Sequence, residues 1–184
     1  LALYDYYFEH KRQQEEAMRK APQIIKQVHN EYAKISGRKY GNGLIDTYRL
    51  EDADIATVCI GSTAGTVKAV VDQLRAKGVK AGLLRLRTFR PLPVTDIMKA
   101  LENVRAIAVM DRSNSFGGYG GPVFHEIRHI LYDAQSHPYV VNYIYGLGGR
   151  DMPPNLIQGI YKDLQDIVKA KRVKDYVQFA GVRE

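Results

Sequence analysis

Apolar residues recur along this chain with two different periods, and the switch from one to the other is the main structural signal. From about Glu9 to Ser36, the residues Ala17, Ala21, Ile24, Ile25, Val28, Tyr32 and Ile35 return every three or four positions, which lays one apolar stripe along a helix. Pro22 lies inside that stretch and predicts a kink or a fresh helix start, because proline has no N–H and crowds the preceding turn. Gly37 closes the helix, and Gly41-Asn42-Gly43 reads as loop. Short apolar runs of strand length then alternate with amphipathic helices. Leu44–Leu50 is a short candidate strand, followed by Ile55–Ile60, Val79–Leu86, Val104–Met110 and Tyr139–Tyr145. Helices are expected over Thr63–Lys77, Pro93–Glu102, Pro122–Ala134 and Pro154–Lys171, and prolines sit in three of their first turns. Strands apolar along most of their length and separated by helices indicate a parallel sheet covered on both faces. The fold class is α/β, a three-layer αβα sandwich.

A chain of 184 residues fits one such domain and buries roughly 70% of its unfolded surface. Three segments are expected: 1–40 as a connecting segment with the long helix, 41–172 as the α/β domain, and 173–184 as a tail packing on a partner. Leu1 is not a methionine, Leu1–Phe8 carries four aromatic residues, and the tail adds Tyr176, Val177 and Phe179. Such ends are better buried against something else, so a fragment of a larger polypeptide is expected.

Composition removes several classes of function. No apolar run approaches the roughly 20 residues of a membrane-spanning helix, and the tyrosine-rich, acidic start is unlike a signal peptide. A cytoplasmic protein without membrane contact is expected. The net charge of +7 comes from basic residues dispersed along the chain, with no RNA- or DNA-binding motif, so no nucleic-acid partner is expected. A single cysteine, Cys59, excludes an internal disulfide or a cluster held by four thiolates; mid-strand, it reads as a small core residue.

Ligands of parallel sheets bind beyond the carboxyl ends of the strands. Turns expected there are Gly61–Gly65, Thr88–Leu92, Asp111–Gly121 and Gly146–Asp151. The third holds Arg112, Ser113, Gly117, Gly118, Gly120 and Gly121 before a helix, and the fourth holds Gly148, Gly149 and Arg150. Glycines let backbone N–H groups approach a ligand, a helix N-terminus favours an anion, and Arg90, Arg112 and Arg150 suit phosphate or carboxylate. Tight βα turns whose arginines pair with a neighbouring domain explain the same pattern. Neither turn matches a dinucleotide fingerprint or a P-loop. In Gly61-Ser62-Thr63, a hydroxyl capping the following helix accounts for the residues. His125-Glu126-Ile127-Arg128-His129 fits the H-E-x-x-H pattern of zinc proteases. However, the core stripe Val123, Ile127, Ile130, Leu131 and Ala134 puts both histidines on the opposite face, and the extended motif is missing, so no metal site is assigned.

Four segments in order, Glu51-Asp52-Ala53-Asp54 with Gly61-Ser62, Leu84–Pro93, Asp111–Gly121 and Gly146–Asp151, resemble the alpha chain of pyruvate:ferredoxin oxidoreductase, in its transketolase C-terminal-like domain. The resemblance runs from about His10 to Lys171. It implies a five-stranded sheet with its first strand antiparallel, a role for Leu44–Leu50. It also implies an enzyme that decarboxylates pyruvate on thiamine diphosphate, passes electrons through iron–sulfur clusters to ferredoxin, and delivers the acetyl group to coenzyme A. Another 2-oxoacid, such as 2-oxoisovalerate or 2-oxoglutarate, stays open, as does a stand-alone module binding an anionic nucleotide or coenzyme A. By the resemblance, thiamine diphosphate, Mg and the clusters are bound outside this segment, so no catalytic residue is assigned and the isolated domain is expected to be inactive. The implied partners are the remaining alpha-chain domain and the beta, gamma and delta chains, with ferredoxin and coenzyme A meeting the whole complex. The Asp111–Gly121 and Gly146–Asp151 turns are expected to dock against the catalytic domains.

Overall fold

In the computed structural model, residues 3–183 are described; Leu1, Ala2 and Glu184, which belong to the expected end segments, lie outside them. The chain forms two compact units: the described residues up to Asp46 with Arg87–Pro93, and Thr47–Leu86 with the described residues from Val94 onward.

The first unit contains α1 (Tyr7–Ser36). The helix runs through Pro22 as one element, so the expected fresh start does not occur; a proline there removes one N–H donor from the helix ladder. Gly37 adopts the left-handed conformation and returns its N–H to Ala33, as a glycine C-cap does. None of the α1 residues is buried, and Ile24, Val28, Tyr32 and Ile35 are exposed along one stripe. Asn42 turns the chain after the helix by accepting the N–H groups of Leu44 and Ile45, each at 3.0 Å. The Leu44 carbonyl accepts the N–H groups of Arg87 and Thr88, which ties the two stretches of this unit together.

The sheet is built from β1 (Ile45–Tyr48), β2 (Ile55–Ile60), β3 (Ala81–Leu86), β4 (Ala106–Asp111), β5 (Tyr139–Tyr145) and β6 (Val177–Ala180), in the spatial order β1-β3-β2-β4-β5-β6. β1 runs antiparallel to the rest and the others are parallel, as expected for a transketolase C-terminal-like sheet. The helices are α2 (Thr63–Ala76), α3 (Val94–Leu101), α4 (Pro122–Tyr132) and α5 (Pro154–Ala170). α2 and α5 pack together on one face, while α3 and α4 pack together on the other.

The sheet has one strand more than expected. Val177–Ala180 pairs parallel to β5, with Asn142 opposite Val177 and Tyr145 opposite Ala180. Four residues are too short a run to carry a clear strand signal of their own; the open edge of β5 supplies a partner.

One buried contact shows how closely the layers fit. Ala106 and Ala108 keep β4 thin, and Tyr161 of α5 reaches the sheet with no exposure. Its hydroxyl donates to the Gly82 carbonyl at 2.7 Å, which leaves Thr57 Oγ1, 2.9 Å away, to donate to Tyr161. Replacing Tyr161→Phe leaves a buried hydroxyl and carbonyl without that partner and is expected to lower stability by about 1–3 kcal/mol. Urea unfolding measures it, and a loss under about half a kcal/mol would show that the hydroxyl network contributes nothing.

Candidate functional site

The carboxyl edge of the second unit is organised around Asp111, the last residue of β4, whose side chain turns back under the loop that follows. It is 2% exposed. Its Oδ1 accepts the Val123 N–H at 2.9 Å and its Oδ2 accepts the Phe124 N–H at 3.1 Å. These N–H groups lie in the first turn of α4, where no intrahelical acceptor exists, and the remaining first position is Pro122, which has no N–H. Asn142 of β5, fully buried, donates to Asp111 Oδ2 and to the Val109 carbonyl, both at 2.9 Å, and accepts the Gly121 N–H at 2.8 Å. The place an external anion would take at the start of α4 is therefore held by the chain's own carboxylate. Burial pushes the Asp111 carboxyl above its ordinary value, and the three donated hydrogen bonds oppose that shift.

This network accounts for two of the four glycines in the turn. A side chain on Gly121 would overlap the Asp111 carboxylate, and one on Gly120, at φ +98°, would lie 2.7 Å from Asn142 Oδ1. Gly118 packs on the His125 ring, while Gly117 faces open space. Ser113 and Arg112 are exposed, and Arg112 Nη2 donates to the Gly146 carbonyl at 3.4 Å. Phe116, at the tip, is fully exposed.

The neighbouring turn brings Arg150 to the same edge. Gly146, Gly148 and Gly149 all have positive φ, which suits glycine, and the last two face open space. Arg150 Nη1 donates to the Gly181 carbonyl at 2.6 Å and so fastens the residue after β6. A cleft of about 480 Å³ opens here, with Ser62, Thr63, Thr66, Arg112, Arg150 and Asp151 in its lining. Arg112 and Arg150 are thus brought together, whereas Arg90 belongs to the first unit, stacked 4.4 Å from its neighbouring Phe89 ring.

Two smaller expectations are resolved by geometry. Ser62 stands at the N-cap of α2 but is already helical (φ −72°, ψ −26°), and its side chain makes no capping bond. Thr63 Oγ1 instead accepts the Tyr145 hydroxyl at 2.8 Å, so the expected hydroxyl cap is not formed. In the H-E-x-x-H segment, His125 Nε2 lies 2.9 Å from the Tyr119 carbonyl. A carbonyl can only accept, so that nitrogen carries the proton and offers no lone pair to a metal.

The described residues do not fit a metal ion or a thiolate-held cluster. Among the described residues no three His, Cys, Asp or Glu side chains come together as a metal site. Cys59 is fully buried; burial pushes its thiol up to about 12, against the opposing influence of the Arg85 guanidinium. A protonated core thiol is no cluster ligand.

A family model described as pyruvate:ferredoxin oxidoreductase core domain II matches residues 53–157, more than half of the chain. The chain belongs to that family. Pyruvate synthase subunit PorA of Thermotoga maritima is 39% identical over 184 residues, which is 100% of this chain and 45% of that subunit. Ketoisovalerate oxidoreductase subunit VorA of Pyrococcus horikoshii is 36% identical over 173 residues, covering 94% of this chain and 43% of that one. The chain therefore spans less than half the length of the curated relatives it matches. A split gene transketolase, solved as an inactive beta4 tetramer, superposes with a TM-score of 0.53 at 14% identity over 73% of this chain and 44% of that one, a likeness of fold. No helix among the described residues is long and apolar enough to cross a membrane.

Sequence reasoning missed the Asp111–Asn142 pair, although a signal exists: Asn142 interrupts an otherwise apolar strand, and a buried amide needs partners. Asp111→Asn puts an NH₂ group where only acceptors are satisfied and is expected to cost about 2–3 kcal/mol in urea unfolding; an unchanged midpoint would mean that the helix start is held by something else. Cys59, far below its titration at pH 8, is expected to react with a disulfide reagent no faster than the protein unfolds. Rapid stoichiometric labelling of the native chain would contradict that.

Proposed function

We propose that this chain is the C-terminal part of the alpha chain of a cytoplasmic, thiamine diphosphate-dependent 2-oxoacid:ferredoxin oxidoreductase, with pyruvate as substrate. The reaction takes pyruvate, coenzyme A and oxidised ferredoxin to acetyl-coenzyme A, CO₂ and reduced ferredoxin. The observation that carries this reading is the match of the whole chain, at 39% identity, to 45% of a pyruvate synthase subunit. Thiamine diphosphate, Mg and the iron–sulfur clusters are held elsewhere in the complex, in keeping with described residues among which no three His, Cys, Asp or Glu side chains come together as a metal site and the one thiol is buried. This segment acts in assembly: its Asp111–Gly121 and Gly146–Asp151 turns dock against the catalytic domains, and the tail beyond α5, with exposed Tyr176, Phe179 and Val182, packs on a partner. The beta, gamma and delta chains complete the enzyme, and ferredoxin and coenzyme A engage the whole.

Two tests bear on this reading. Viologen reduction by the assembled enzyme is expected to be fastest with pyruvate; a preference for 2-oxoisovalerate would move the chain toward the ketoisovalerate oxidoreductases, one of which is 36% identical. A stand-alone binding module is the second reading, favoured by the cleft that Arg112 and Arg150 line. Calorimetry with coenzyme A and nucleotides on this chain is expected to show no binding, and micromolar affinity lost in Arg112→Ala and Arg150→Ala would select the module.

A further inference from the structure

Phe116 is the most exposed large apolar side chain among the described residues, at 108% of its reference surface, and the loop beneath it is held from several sides. The Ser115 N–H donates to the Gly120 carbonyl at 3.0 Å, closing the turn on itself. Gly118 packs on the His125 ring, whose Nε2 donates to the Tyr119 carbonyl. Gly120 and Gly121 are clamped on Asn142 and Asp111. A mobile loop can fold an aromatic ring back onto its own surface; this one presents the ring outward on a fixed base. Binding through a side chain that is already positioned costs little ordering entropy, and aromatic residues beside arginine are the usual anchors of protein interfaces.

We infer that Phe116 is the anchor of the docking edge, inserted into an apolar socket rimmed by carboxylates on another polypeptide of the oxidoreductase; this rests on the proposed function above. The charge of the edge selects the acidic rim. Asp111 is buried and saturated by its three donors, so it does not neutralise the surface, and in the cleft lining Arg112 and Arg150 outnumber the one exposed carboxylate, Asp151. Arg112 and Arg150 spend one N–H each on backbone carbonyls and keep further donors for a partner's carboxylates. Exposed Leu147 on the adjacent turn extends the apolar contact.

The test uses the enzyme co-expressed with its beta, gamma and delta chains. Because Phe116 contacts solvent rather than core, Phe116→Ala is expected to melt like the wild type while its affinity for the companion chains falls about tenfold or more. Phe116→Trp is expected to retain affinity, and binding is expected to weaken with salt. A photo-crosslinker at position 116 is expected to label a companion chain beside Asp or Glu. Equal affinity of Phe116→Ala and wild type overturns the anchor while leaving the functional reading standing. Wild type that joins no companion chain overturns both. Loss of self-association, or of binding to lipid vesicles, as the sole effect of Phe116→Ala would assign the ring to a second copy or a membrane and overturn the proposed socket.

Discussion

The carboxyl edge of this domain depends on one buried anion placed against one helix. Asp111 gives the first turn of α4 the acceptors it lacks, and α4 in turn supplies the donors that make a buried carboxylate tolerable. Asn142 completes the exchange by joining β4, β5 and the loop through three hydrogen bonds. Because each member satisfies the others, none can change alone, and the loop that leaves β4 has one route to the helix. That constraint fixes the glycines at 118, 120 and 121, whose missing side chains are space that Asp111, Asn142 and His125 occupy.

The glycine-rich turn therefore has a different physical meaning from a phosphate-binding loop. In a phosphate loop, glycine exposes N–H groups to a ligand; here it admits the protein's own polar side chains, and the Gly121, Val123 and Phe124 N–H groups are consumed by Asn142 and Asp111. What is left for the outside is the loop's upper surface, with Phe116, Arg112 and the neighbouring Arg150. The loop exposes two rings, Phe116 and Tyr119, beside guanidinium groups that donate to backbone carbonyls.

The sheet and its helices were legible because burial on two faces demands nearly continuous apolar strands, and those runs stand out in the sequence. Ile55–Ile60 and Tyr139–Tyr145 fall where the pattern puts them. Elements whose stability comes from a neighbour were not legible. β6 is a strand only because β5 offers an unpaired edge, so its own residues need not announce it. Ser62 reads as a cap from its type and position, yet the backbone there is already helical and the adjacent hydroxyl is taken by Tyr145, 82 residues away in sequence. The Asp111–Asn142 pair was hidden for the same reason. Its partners lie on a different strand, and only the unlikely amide inside an apolar run betrayed that something must satisfy it.

The same logic bears on the single cysteine of this member of an oxidoreductase family. A thiolate ligand must be deprotonated and reachable, but Cys59 sits where burial favours the protonated thiol, with its guanidinium neighbour Arg85 too weak an influence to reverse this. A metal-bound diphosphate needs converging carboxylates; the one carboxylate at the heart of the edge is committed to a helix. Asp111 and Asn142 are spent on fixing backbone rather than on poising reactive groups. The start of α4 is thus held by Asp111 and Asn142, and what the edge still offers is the cleft that Arg112 and Arg150 line.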